Sequence, residues 1–108
     1  GPMRDLRPRE LEAHLAAAPA PPLLLDVREP WEYEICHVPG STLVPMRRIP
    51  AAAAGLNPHR ETVVICHHGI RSRQVALYLE HLGFTRVVNL SGGVDAWARE
   101  VDPGMAIY

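Results

Sequence analysis

The chain has 108 residues, of which 47% are hydrophobic and 21% are charged, and its formal net charge is −1 at pH 7. This length predicts one domain, long enough to bury a core without disulfides or a structural metal. The near-neutral charge argues against nucleic acid or an anionic membrane as a partner, and no stretch approaches the roughly 20 consecutive apolar residues that span a bilayer.

The start of the chain and its cysteines set the expected context. Gly1-Pro2 before Met3 is typical of the scar left when a protease removes an expression tag, so the predicted domain runs over 3–108. No charged segment followed by an apolar core marks a signal peptide, so we expect a cytoplasmic protein. In that reducing compartment Cys36 and Cys66 stay thiols. The sequence alone leaves a disulfide between them open.

Helices and strands are predicted to alternate along the chain. Pro8 suits the first turn of a helix that runs to about Ala18, and the prolines over 19–22 end it before an apolar strand over 23–27. Beyond that strand, the pattern predicts a helix over 30–35, a strand over 42–44 and a helix over 46–54. A strand ending at Ile65 follows, and then a helix with Val75, Leu79 and Leu82 on its buried face. The last two predicted elements are a strand over 86–90 and a helix that begins at Gly92-Gly93. Such alternation predicts an α/β fold with a mostly parallel central sheet and helices on both faces.

The strongest chemical signal is the loop that follows the strand ending at Ile65. Cys66 stands at the carboxyl end of that strand, where parallel sheets bind their ligands. Only four residues separate it from Arg71, and a helix follows. The amides of so short a loop, together with the positive end of the helix, favour a negatively charged sulfur and an anionic substrate. Cys66 is therefore the predicted nucleophile, acting as a thiolate.

Three further blocks accompany this loop in a fixed order. They are Leu24-Leu25-Asp26-Val27-Arg28-Glu29 with Trp31-Glu32-Tyr33, His37-Val38-Pro39-Gly40-Ser41, and Leu90-Ser91-Gly92-Gly93-Val94-Asp95-Ala96-Trp97. With the cysteine-to-arginine loop, they resemble the rhodanese family of sulfurtransferases over roughly residues 22–100. Cys36 stands where that family usually has glycine, and Ser41 where alanine is common.

The resemblance implies a single rhodanese-like domain that works without a cofactor or metal. Cys66 would take a sulfane sulfur from a small donor such as thiosulfate, hold it as a persulfide, and pass it to cyanide, to a thiol or to a protein acceptor. The expected site is Cys66 with the loop residues His67, His68, Gly69, Ile70, Arg71 and Ser72. The alternative is a rhodanese-fold module that carries sulfur or binds a partner without turnover. A phosphatase or arsenate reductase is disfavoured, because cysteine phosphatases place five residues in this loop.

Several roles stay open in the sequence. His67 and His68 could shuttle a proton, stabilise the thiolate or lie at a solvated rim, and we prefer the rim. Arg71 could orient the loop or contact an anionic substrate.

Other residues receive structural interpretations. Cys36 is expected to be a small buried hydrophobe, since a role in resolving a persulfide is disfavoured. Zinc is disfavoured because adjacent cysteine and histidine side chains on a strand point to opposite faces. Asp26 and Arg28 are interpreted as a structural ion pair near the end of the sheet.

Overall fold

The computed structural model describes residues 2–108, and a five-stranded sheet forms its centre. All neighbouring strands are parallel, in the order β1-β5-β4-β2-β3. The strands are β1 (Arg4–Leu6), β2 (Leu23–Asp26), β3 (Thr42–Leu43), β4 (Thr62–Ile65) and β5 (Val87–Leu90). The carboxyl ends of the three inner strands β5, β4 and β2 therefore meet at one edge of the sheet.

The described residues form five α-helices: four lie between consecutive strands and the fifth follows β5. They are α1 (Pro8–Ala17), α2 (Pro30–Ile35), α3 (Ile49–Ala52), α4 (Ile70–His81) and α5 (Gly93–Glu100). Short 3-10 turns, Met46–Arg48 and Ala53–Gly55, flank α3. Within residues 2–108, none of these helices is both long enough and apolar enough to cross a bilayer.

Two core layers cover the sheet, one on each face. Leu11 of α1 and Trp97 of α5 belong to one layer, and Ile49 of α3 and Leu79 of α4 belong to the other. Alternate residues along a strand point to opposite faces. In and just after β4, Val63 and Ile65 enter the α1/α5 layer, whereas Val64 and Cys66 enter the α3/α4 layer. The nucleophile candidate therefore leaves the sheet on the side of α4.

Three local predictions differ from the structure. β1 was not predicted, because only Leu6 among its three residues is buried and no periodicity shows in so short a segment. The single helix expected over 46–54 is three short pieces, and Pro50 starts a new helical turn because proline lacks the amide that would continue the previous one. Leu82 is 46% exposed, since α4 ends at His81 and the chain turns away at Gly83.

The first turn of α5 fixes the loop that follows β4. The amide of Val94 donates to the carbonyl oxygen of Cys66 at 2.9 Å, and that of Asp95 donates to the carbonyl oxygen of His67 at 3.1 Å. Gly93 has a φ of +61°, and a Cβ atom there would collide with both of these carbonyl groups. The loop and the helix approach each other this closely only because position 93 carries no side chain.

We expect Gly93→Ala to destabilise the fold far more than Gly83→Ala. Both glycines have positive φ, but a Cβ at Gly83 meets no atom within 4 Å. The control should lose about 1 kcal/mol from backbone strain alone. The unfolding free energy of the Gly93 variant should fall by about 2 kcal/mol more than that of the control, because the loop and α5 must separate. Urea unfolding measures both losses, and equal losses would contradict the close packing described here.

Candidate active site

Cys66 follows β4 directly and is 1% exposed. The amide of Gly69 donates to its Sγ at 3.1 Å, and Sγ lies 3.2 Å from the hydroxyl oxygen of Ser72. Gly69 has a φ of +94°, which glycine adopts without strain. Ile70 begins α4, and the amides of the first helical turn have no partner within the helix. The loop thus directs the Gly69 hydrogen at the sulfur and places the positive end of α4 beside it.

A buried polar chain lies behind the sulfur. The Ser72 hydroxyl donates to Oδ1 of Asn89 at 2.6 Å, and Nδ2 of Asn89 donates to Asp5 at 2.9 Å and to the carbonyl oxygen of Gly69 at 3.3 Å. A hydroxyl has a single hydrogen, and this one points to Asn89. Ser72 therefore accepts the hydrogen of the Cys66 thiol.

Arg71 makes a bidentate ion pair with Glu32 from α2. Its Nη1 and Nη2 donate to the two carboxylate oxygens at 2.7 and 2.9 Å. The Arg71 guanidinium, with help from the Glu29 amide and the Tyr108 hydroxyl, lowers the pKa of Glu32 to about 2. The bond to Glu32 in turn raises the pKa of Arg71 above its ordinary value. Of the two roles left open for Arg71, this geometry favours orientation of the loop.

The Asp26–Arg28 pair lies next to this ion pair. Both side chains are fully buried, and Arg28 donates to the two oxygens of Asp26 at 2.8 to 3.1 Å. It also donates to the carbonyl oxygen of Cys36 at 2.7 Å. Burial alone would lower the pKa of Arg28, but its bonds to Asp26 and Tyr108 raise it above its ordinary value. The predicted structural pair is thus present, and its guanidinium is charged.

Tyr108 completes this network from the far end of the sequence. Its hydroxyl donates to Oε2 of Glu32 at 2.7 Å and accepts from Nη1 of Arg28 at 2.9 Å. Burial, followed by the contact with Glu32, raises the pKa of this phenol to about 12, so it is protonated at neutral pH. Its ring stacks on His67 with centroids 3.8 Å apart and 5° between the planes.

The two loop histidines lie beside the sulfur but do not bond to it. Nε2 of His67 is 2.9 Å from the main-chain oxygen of Tyr108, and burial together with the charge of His68 lowers the pKa of His67. His67 is therefore neutral at pH 7. The His68 side chain is 56% exposed and 4.0 Å from Asp95. Across residues 2–108, no hydrogen bond joins either imidazole to Sγ. These positions suit a rim.

Comparison with known proteins identifies the family and its fold. The family model for the rhodanese-like domain matches residues 7–100. The chain belongs to the rhodanese-like domain family. A crystal structure of a rhodanese-like domain protein from Staphylococcus aureus superposes with a TM-score of 0.82 at 32% identity, covering 98% of this chain and 99% of that one. The predicted family and the predicted α/β fold are confirmed.

Two curated relatives of this rhodanese-like domain differ in size. A protein named Sulfurtransferase from Allochromatium vinosum is 39% identical over 84 residues, which cover 78% of each chain. The Rhodanese-like/PpiC domain-containing protein 12, chloroplastic, from Arabidopsis thaliana is 43% identical over 89 residues, covering 79% of this chain but 30% of that protein. The chain thus spans under a third of the Arabidopsis protein. Family membership supports sulfur transfer as the general activity.

One side-chain cluster of the domain has metal-ligand chemistry. The nearest ligand atoms of His67, His68 and Asp95 lie within 4.8 Å of one another. The two imidazole rings contact each other, with centroids 3.9 Å apart and 33° between their planes. Asp95 is also bonded to Arg99 at 3.2 and 3.4 Å. A metal ion would have to displace these contacts, and the absence of a metal from the mechanism stays a prediction.

Sequence reasoning missed three residues of this rhodanese-like site. Glu32 stood in a motif block, but its pairing with Arg71 spans 39 positions and no local pattern reveals it. Asn89 left a usable signal, since it is a polar residue inside the apolar run of β5, one strand away from Cys66. No sequence signal pointed to Tyr108, because its contacts depend on the path of the chain after α5.

We expect Glu32→Gln to lower the free energy of unfolding at neutral pH by about 1–3 kcal/mol, because Arg71 loses a buried charged partner. The pKa of Glu32 falls from 4.5 to about 2 on folding. The stabilisation of the folded state by charged Glu32 is therefore complete above pH 4.5 and is lost as the pH falls to about 2. The unfolding free energies of the wild type and the variant should converge across this window.

Urea unfolding at several pH values measures this convergence. Glu100→Gln is the matched control, because Glu100 pairs with Arg7 at the surface, where an ion pair contributes at most about 1 kcal/mol. A stability difference for Glu32→Gln that stays constant from neutral pH down to pH 2 would contradict the assignment of a charged Glu32.

Proposed function

We propose that the protein is a sulfurtransferase that moves a sulfane sulfur from a donor such as thiosulfate to a thiophilic acceptor through a persulfide on Cys66. The observation that carries this proposal is the geometry at the end of β4. There the Gly69 amide hydrogen bonds to Sγ at 3.1 Å, inside a loop with four residues between Cys66 and Arg71. Main-chain amides directed at a sulfur atom stabilise it when it becomes negative.

The reaction has two displacement steps. The Cys66 thiolate attacks the outer sulfur of thiosulfate, the sulfur–sulfur bond of thiosulfate breaks, and sulfite leaves with its electron pair. The outer sulfur of the resulting persulfide is then attacked by the acceptor. With cyanide as acceptor, thiocyanate leaves and the Cys66 thiolate is restored, so no net oxidant or reductant is consumed.

The surrounding residues contribute position and electrostatics. The Gly69 amide and the amino end of α4 stabilise negative charge on the thiolate and on the persulfide. The Ser72 hydroxyl accepts the thiol hydrogen in the resting form, and it turns from Asn89 to the sulfur once that hydrogen is lost. Glu32 holds Arg71 so that the loop keeps its shape. A neutral His67 supplies no proton, and transfer from thiosulfate needs none.

The loop size supports sulfur rather than phosphate as the transferred group. Four residues enclose a smaller space than the five of a cysteine phosphatase loop. Gly69 also packs tightly against the turn between β5 and α5, since a Cβ atom at this position would lie 2.9 Å from the amide nitrogen of Gly92. A tetrahedral phosphate therefore fits this loop less well than a single sulfur atom.

The proposed partners are a small sulfur donor, a cyanide or thiol acceptor, and a protein acceptor. We place the reaction in the cytoplasm, where free thiols are available as acceptors. Nucleic acid and membrane lipid have no part in the proposal.

Thiosulfate should load one sulfur atom onto the wild-type protein and none onto Cys66→Ser. Cys36→Ser is the matched control and should load fully, because Cys36 is a buried thiol outside the loop. Intact-mass spectrometry after brief incubation measures the loading. Equal labelling of the wild type and Cys66→Ser would reject Cys66 as the sulfur carrier.

Turnover distinguishes an enzyme from a module that only carries sulfur. With thiosulfate and cyanide, we expect many molecules of thiocyanate per protein molecule and no hydrolysis of an aryl phosphate. Colorimetric assays follow both products. Loading without turnover would favour the carrier, and phosphate release that depends on Cys66 would favour a phosphatase.

A further inference from the structure

The proposed chemistry makes no use of Tyr108, yet this residue contacts several residues of the site. Its hydroxyl reaches Glu32 and Arg28, and its ring and main chain reach His67. These residues lie 41 to 80 positions away along the chain. So many specific contacts at such separations point to a role in shaping the site.

The hydroxyl of Tyr108 acts on the carboxylate that holds Arg71. Oε2 of Glu32 accepts from Tyr108 at 2.7 Å and from Nη2 of Arg71 at 2.9 Å. Oε1 accepts from Nη1 of Arg71 at 2.7 Å and from the Glu29 amide at 3.0 Å. Four donors thus fix the plane of the carboxylate. Removing the phenol hydrogen would take away one of the two donors to Oε2.

The hydroxyl is itself anchored to the sheet. It accepts from Arg28, which is fully buried and bonded to Asp26 at the end of β2. A continuous line of charge-assisted hydrogen bonds therefore runs from the end of β2 through Arg28, Tyr108 and Glu32 to Arg71. Bonds of this type are short and directional, so they transmit position from a rigid strand to a loop.

The ring holds the other end of the same loop. Tyr108 stacks on His67, the residue after Cys66, and its main-chain oxygen is 2.9 Å from Nε2 of His67. It therefore contacts the loop directly at His67 and, through Glu32, at Arg71. These two points enclose the segment that contains the Gly69 amide.

We propose that Tyr108 is a positioning residue for the sulfur site: through Glu32 and Arg71 on one side and His67 on the other, it holds the loop so that the Gly69 amide meets Sγ of Cys66. The effect on sulfur loading rests on the proposed function. The effect on the shape of the loop and on thiol reactivity does not.

The test uses Tyr108→Phe, which keeps the stacked ring and removes the hydroxyl. Arg28 keeps other acceptors, including the carbonyl oxygen of Cys36 at 2.7 Å, so the variant should fold. Tyr33→Phe is the matched control, because Tyr33 is also a half-buried phenol with one 2.7 Å bond, to the carbonyl oxygen of Ser41. Thermal unfolding of both variants verifies that they fold and compares their stability.

Three rates are measured on each protein: alkylation of Cys66 by iodoacetamide, hydrogen exchange of the Gly69 amide, and loading by thiosulfate. For Tyr108→Phe we expect alkylation and loading about three- to tenfold slower and amide exchange faster by a similar factor, since a hydrogen bond to a charged group is lost. Tyr33→Phe should stay within about twofold of the wild type. Wild-type rates in Tyr108→Phe would overturn the proposal.

A double-mutant cycle separates positioning from general destabilisation. Arg71→Lys retains the charge but not the bidentate bond to Glu32. If Tyr108 acts through Glu32 and Arg71, adding Tyr108→Phe to Arg71→Lys should slow alkylation by less than about twofold more. Fully additive losses would overturn the route through Arg71. If the wild type takes no sulfur from thiosulfate, the proposed function fails, while alkylation and amide exchange still decide the role of Tyr108.

Discussion

The docking of the loop after β4 onto the first turn of α5 is the constraint on which the site depends. The amides of Val94 and Asp95 donate hydrogen bonds to the carbonyl oxygens of Cys66 and His67. Gly93 has no side chain, so the loop can approach the helix this closely. In a trans peptide unit the N–H points opposite to the C=O. Holding these two carbonyl groups against α5 therefore turns the amides of the next two residues away from the helix. The loop becomes a surface of hydrogen-bond donors because its acceptors are occupied elsewhere.

A second consequence concerns the charges around the sulfur. Arg71 is committed to Glu32, and Arg28 to Asp26, so these guanidinium groups shape the site instead of acting as free cations. The pKa of Glu32 is about 2 and that of Tyr108 about 12. The network therefore keeps one protonation state across the physiological pH range. In the proposed mechanism, the Gly69 amide and the α4 dipole stabilise a negative sulfur, and neither of them titrates.

Local sequence patterns predicted the secondary structure that surrounds the site. The apolar run into Cys66, the short loop and the periodicity of α4 predicted the strand, the nucleophile position and the helix, since each depends on neighbouring residues. The buried Asp26–Arg28 pair could also be predicted from the sequence, because its partners are two positions apart. Contacts between Glu32 and Arg71 span 39 positions, and those between Glu32 and Tyr108 span 76. Such pairs are set by tertiary packing, which periodicity and loop spacing do not encode.

The two thiols occupy opposite layers of the core, with Cys36 on the α1/α5 side of the sheet and Cys66 on the α3/α4 side. A disulfide requires sulfur atoms about 2 Å apart, so the strands themselves stand between these two. In the proposed mechanism, Cys36 therefore cannot displace a sulfur atom held on Cys66. The lifetime of that proposed persulfide would depend on acceptors that reach the loop from outside the molecule.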